Sequence, residues 1–185
     1  MIIKSYILEN DPKKTFNIKS ILFYGVNIGL KKHFKNIFKK NNKKSLIKNF
    51  SQEELIKSKN ILYDEIDNPS LFSEEKLIFI EGATDKVFTY LEPIIDKLKN
   101  NKIIVFADPL DKRSKLRSYY EKSKTAIAVA CYEDNEITIK KIITNELKDF
   151  RGLSGENINL IIDNCGVDRI KLENELSKIN TYFNN

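Results

Sequence analysis

The side chains best placed to do chemistry follow an apolar run, Ile18 to Tyr24, that ends on Gly25 and leads into a helical pattern. A strand, a glycine and a helix form the setting of the phosphate loop GxxxxGK[ST]. There, backbone amides cradle phosphates, the lysine meets their charge and the hydroxyl binds magnesium. With Gly25 as the first glycine, Leu30 stands at the second glycine position, Lys31 at the lysine and Lys32 at the hydroxyl residue. Leu30 adds a side chain where backbone has to approach phosphate closely, and Lys32 removes the metal ligand. ATP hydrolysis is therefore not expected. The run Leu77-Ile78-Phe79-Ile80 fails in a similar way as an acidic metal strand, because Glu81 is followed by Gly82 and not by a second carboxylate.

The remaining reactive residue types do not assemble. Cys131 and Cys165 are far apart with no CxxC spacing, which supports neither a zinc site nor a disulfide framework and leaves two small core residues. His33, the single histidine, sits among Lys31, Lys32 and Lys35 without the Asp or Ser constellation of nucleophilic catalysis. We assign no metal, cofactor or catalytic residue.

The elements that position these residues repeat one theme. Ile18 to Tyr24 is followed by a helix through Ile28, Leu30, Phe34, Ile37 and Phe38. Ser45 to Phe50 is followed by a helix opened by Ser51, with Glu54 at the capping-box position, and carrying Leu55, Ile56, Leu62 and Ile66. Leu77 to Ile80, Ile103 to Phe106 and Ala126 to Ala130 read as three further strands, separated by helical segments near 87–98 and 114–122. Five apolar strands alternating with helices predict an α/β fold, a mainly parallel sheet with right-handed crossovers and helices on both faces. From about Glu133 the pattern becomes wholly helical. One helix runs from Ile137 to Phe150, a second is capped by Ser154 and ended by Gly166, and a third spans Val167 to Tyr182. The expected domains are thus 1–132, α/β, and 133–185, a small helical module.

Composition limits the partners. The chain has 185 residues, 41% hydrophobic, enough for one good core with a small satellite. Met1-Ile2-Ile3-Lys4 does not open a secretory signal, and no apolar run approaches the roughly 20 residues of a membrane span. We expect a cytoplasmic protein without a membrane partner. The net charge of +6 points towards nucleic acid, but only Arg113, Arg117, Arg151 and Arg169 are arginines, and arginine is the better reader of bases and phosphates. The cluster Lys39-Lys40-Asn41-Asn42-Lys43-Lys44 reads as a solvated turn, and Tyr119 and Tyr120 as helix residues packed on a sheet.

One feature has no place in this scheme. Leu71 and Phe72 stand between the turn-forming Asn68-Pro69-Ser70 and the charged Glu74-Glu75-Lys76, at the rim where loops carry function. Burying two such side chains in a partner's pocket contributes about 1.5–3 kcal/mol each, enough for a small hot spot.

The stretch from Ser70 to Ala83, together with Asp108-Pro109-Leu110-Asp111-Lys112-Arg113-Ser114-Lys115-Leu116, resembles the delta subunit of the bacterial DNA polymerase III clamp loader. Leu22-Phe23-Tyr24-Gly25 and the late segment from Gly166 to Ile179 agree in order and spacing, so the resemblance runs from about residue 18 onward. It implies an AAA+-like domain of P-loop NTPase type that has lost ATP binding, followed by a helical lid. The family's third, collar domain lies outside the resemblance. It further implies a clamp-binding element of Ser70, Leu71, Phe72 and Ser73, in which the Leu-Phe pair enters a hydrophobic pocket of the sliding clamp. The implied partners are that clamp, the other clamp loader subunits and, indirectly, DNA. No catalysis by this chain and no cofactor are implied. Two other readings are a basic nucleic-acid-binding module and a P-loop ATPase with an aberrant site.

Overall fold

Runs of apolar residues too continuous to alternate become strands covered on both faces. In the computed structural model, which describes residues 1–68 and 75–183, six strands form one sheet, and its four inner strands are of this kind. They are β1 (Ile2–Lys4), β2 (Ser20–Tyr24), β3 (Leu46–Ser51), β4 (Lys76–Glu81), β5 (Lys102–Ala107) and β6 (Ala126–Ala130). Their order is β1-β6-β2-β5-β4-β3, and every pairing is parallel. Ile21 on the central strand lies opposite Ile104 on one side and Ile127 on the other, so the middle of the sheet is apolar in all directions.

The connections are the helices α1 (Ser5–Asn10), α2 (Ile28–Asn41), α3 (Gln52–Lys57), α4 (Ile61–Asp67), α5 (Asp85–Ile95) and α6 (Lys115–Lys122). Strand alternation sends neighbouring side chains to opposite faces. Phe23 stacks on Phe34 of α2 at 4.7 Å and on Phe106 of β5 at 5.6 Å. Leu22, Ile78 and Val105, one position out of step, belong instead to a core with Leu91 and Ile94 of α5 and Leu116 and Tyr120 of α6. Tyr120 is fully buried and its hydroxyl shares a 2.7 Å hydrogen bond with Ser20 Oγ; burial pushes the phenol well above its ordinary pKa. Helices therefore cover both faces, as the alternating pattern predicts.

The chain divides into two units, one of Met1–Val26 with Lys31–Cys131, the other of Asn27–Leu30 with the chain from Tyr132 on. Within the second unit, α7 (Glu136–Glu146), α8 (Gly155–Cys165) and α9 (Arg169–Phe183) bury Ile139, Ile143, Leu147, Ile158, Leu172 and Leu176 against one another. Asn135 and Ser154 cap the first two helices through their side chains, and Gly166 ends α8 at φ +60°.

Three local expectations differ from the structure. The five strands expected are joined by a sixth, edge strand β1, whose three residues are too few and too exposed to give a pattern. The single helix expected after Ser51 is two, α3 and α4, separated at Ser58-Lys59-Asn60. The helix expected to reach Phe150 ends at Glu146. Cys131 and Cys165 are buried free thiols.

Candidate functional site

The helix that follows β2 starts where a phosphate loop would place its anion, and Gly25, Asn27, Gly29 and Lys31 around that start each have another task. Gly25 has φ +135°, and a Cβ there would lie 2.3 Å from the Cys131 carbonyl oxygen. The glycine therefore serves a close approach of two backbones, with Cys131 N donating to Tyr24 O at 2.7 Å and Gly25 N to Ala107 O at 3.3 Å.

Helix N-termini attract anions because their first amides lack intrahelical partners. In this chain the side chain of Asn27 accepts from the Leu30 amide at 2.9 Å, a helix cap made from within the sequence. Asn27 Nδ2 in turn donates to Tyr132 O at 3.0 Å and to Asp134 Oδ2 at 2.8 Å, and the same carboxylate oxygen stands 3.8 Å from Arg169 Nε. Both charged side chains of that pair are almost fully buried. A Cβ on Gly29 would come within 2.8 Å of Arg169 Cβ, so the first turn of α2 is packed against the start of α9. Leu30 itself is buried.

Lys31, at the phosphate-loop lysine position, is also buried. Its ammonium donates to Ala107 O at 3.0 Å and to Asp108 Oδ1 at 3.2 Å, both at the end of β5. Lys32 is exposed. The expected loop residues Gly25, Leu30, Lys31 and Lys32 thus lie in sequence around the helix start, but the amides of Gly25 and Leu30 and the charge of Lys31 are directed to protein groups. Among the described residues, no group of three or more His, Cys, Asp or Glu side chains could hold a metal ion. None of the described helices is long and apolar enough to cross a membrane.

Ser70, Leu71, Phe72 and Ser73 lie outside the described residues. The residues that flank them are well anchored. Lys76, at the first position of β4, is buried, and its ammonium donates to Asn68 O at 2.8 Å, to Glu65 Oε2 at 3.1 Å and to Glu65 O. Lys48 adds a second ion pair to Glu65 at 3.0 Å. Burial works against the charged carboxyl, but the hydrogen bonds from Lys48 and Lys76 prevail and hold Glu65 below the ordinary carboxylate range. Asn101 Oδ1 accepts from Lys76 N at 3.0 Å. The end of α4 and the start of β4 are thereby tied to one another.

Arg117, beside the two tyrosines considered as a nucleic-acid platform, lies over the Tyr24 ring at 4.9 Å, pairs with Glu121 at 2.8 Å and donates to Leu110 O at 3.0 Å. Tyr120 is buried and Tyr119 packs on Phe88, with ring centroids 5.3 Å apart. These side chains are used in packing.

The likeness of this chain to known proteins is one of fold. No family model matches it, and no curated protein does. Among solved structures it resembles the Bacillus subtilis DNA clamp loader delta protein, with a TM-score of 0.69 at 16% identity over 97% of this chain. The fold is AAA+-like. The replication initiator DnaA bound to AMPPCP and single-stranded DNA shares it, with a TM-score of 0.55 at 20% identity over 94% of this chain. The chain spans 57% of the length of the delta protein and 60% of that of the initiator.

Asn27, Gly29, Asp108, Asp134 and Arg169 escaped the sequence reading as participants. Only Asn27 carried a local signal, an Asn three residues before the amide it caps.

Proposed function

We propose that this chain is a clamp loader subunit of delta type, which binds a sliding clamp through Leu71 and Phe72 and opens its ring for loading on DNA without hydrolysing ATP. The observation that carries the reading is the fold shared with the clamp loader delta protein over 97% of the chain. The state of the helix start supports it: the fold of a nucleotide-binding domain is kept while Asn27, Gly29 and Lys31 are turned to protein partners. The anchored flanks at Asn68 and Lys76 suit a segment that must present an apolar pair to a partner.

In this reading the chain works in the cytoplasm as a non-catalytic member of the polymerase holoenzyme, beside loader subunits that hydrolyse ATP. Opening follows from differential binding: the Leu-Phe pair favours a clamp whose subunit interface is distorted, and the closed ring loses population accordingly. The test is surface plasmon resonance of this chain against the sliding clamp of the same organism, beside a folded Leu71→Ala/Phe72→Ala variant. Binding by the wild type that the variant loses is the expected result. Absence of wild-type binding, or binding indifferent to both substitutions, would overturn the assignment.

A further inference from the structure

Charge is divided unevenly along this chain. From Pro12 to Gln52 there are eleven lysines and no acidic residue, whereas the rest of the chain carries 21 basic and 26 acidic residues. The segment is thus +11 and everything else −5, a contrast that the net charge of +6 conceals.

The fold gathers much of this excess on one helix. α2 buries Leu30, Phe34 and Phe38. Two carboxylates pair with it, Asp108 with the buried Lys31 at 3.2 Å and Glu81 with the half-buried Lys35 at 2.8 Å. Lys32, Asn36, Lys39 and Lys40 are exposed, as is Lys43 in the turn that follows. Lys32, Asn36 and Lys39 succeed one another at spacings of four and three, which is one stripe of a helix, about 10 Å long at 1.5 Å per residue. Among the described residues, Lys32, Lys39, Lys40 and Lys43 have no carboxylate partner. The helix dipole gives a local reason for Lys39 and Lys40 in the last turn. It gives none for Lys32 near the other end, nor for the absence of carboxylates from the whole of 12–52.

We infer that the outer face of α2 is a direct contact for the phosphate backbone of duplex nucleic acid. A run of cations at the spacing of helix turns, with no carboxylate among them, is the electrostatic footprint of a phosphate-tracking surface. Lysine suits a contact of this kind, because its compact charge on a flexible stem meets phosphates as a point charge, without the planar fork by which arginine reads bases. The contact is therefore independent of sequence. An anionic membrane would ask for apolar side chains beside the charges; apart from Ile28 at the first position, those of α2 are buried or half-buried. The proposed function brings DNA to this chain only through the opened ring, whereas this contact belongs to the chain itself and makes no use of Leu71 and Phe72.

Fluorescence anisotropy with a short labelled DNA duplex of mixed sequence, at several salt concentrations, tests it. Log affinity of the wild type is expected to fall with log salt at a slope of about −0.9 for each phosphate neutralised, so roughly −3 to −4 for the four lysines. Lys32→Gln/Lys39→Gln/Lys40→Gln/Lys43→Gln should bind about tenfold more weakly at low salt, with a flatter slope. Lys112→Gln/Lys140→Gln/Lys141→Gln/Lys171→Gln makes the same change of charge at exposed lysines elsewhere and should keep the wild-type slope. Equal loss in both variants overturns the inference, as does absence of duplex binding by the wild type or a wild-type slope shallower than about −1. Binding to phosphatidylserine vesicles without binding to the duplex overturns it too and gives the stripe to a membrane. None of these results touches the clamp-binding reading, which the resonance assay decides.

Discussion

The buried ammonium of Lys76 donates to the carbonyl oxygen of Asn68 at 2.8 Å, joining the first residue of β4 to the residue that ends α4. The same ammonium meets Glu65, so one cation satisfies a helix end and a carboxylate at once.

Lys76→Met should therefore cost about 2 kcal/mol, since a buried hydrogen-bonded charge is removed and its acceptors stay behind. A lowered urea midpoint with an unchanged denaturant slope is the expected result. The same variant should weaken clamp binding in the resonance assay.

Lys31→Ala should act on stability and leave nucleotide affinity untouched. In a working phosphate loop this change removes a phosphate contact. Here it removes the bonds to Ala107 and Asp108, at about 1–2 kcal/mol. Millimolar magnesium ATP should leave the thermal midpoint of wild type and variant unshifted; a rise in the wild type would restore the ATPase reading.

Two glycines with positive φ should respond unequally to alanine. At Gly25 the new Cβ meets the Cys131 carbonyl oxygen at 2.3 Å, whereas at Gly82, φ +66°, nothing lies within 4 Å. Gly82→Ala should cost about 1–2 kcal/mol, the ordinary left-handed penalty, while Gly25→Ala should exceed it clearly through the forced backbone shift. Chemical denaturation of the pair decides.

Acid should loosen the tie at α4 and β4. Glu65 titrates below the ordinary carboxylate value in the folded chain, so its contribution is fully present above the unfolded pKa of about 4.3 and is lost as pH falls through the lower folded value. A plot of stability against pH should fall across that window, and Glu65→Gln should flatten the fall.

Much of the α/β unit was legible because burial on both faces leaves strands with no polar interruption, as in Leu77 to Ile80 and Ile103 to Phe106. Caps were legible because they are local: Ser51 with Glu54, Ser154 and Gly166 each act within a few residues. β1 was not, since a three-residue edge strand is defined by its partner, pairing Ile2 with Ala128 and Ile3 with Val129. The candidate phosphate loop was legible as a set of substitutions at Leu30 and Lys32 and illegible as a structure. The groups that take its place, Asp108 for Lys31 and Arg169 for Gly29, lie in distant parts of the chain, and no spacing rule links them.

The packing of Gly29 against Arg169 also bears on what any ligand would need at the first turn of α2. Once a neighbouring helix has settled on the first turn of α2, selection acts on that contact as it does on any other part of the core, and a second tenant at the same place has to displace it. Restoring glycine at position 30 and a hydroxyl at position 32 would rebuild the signature of a phosphate loop in the sequence while leaving Arg169 where it is. Changing those letters one at a time therefore makes no room for a ligand there while that contact stands.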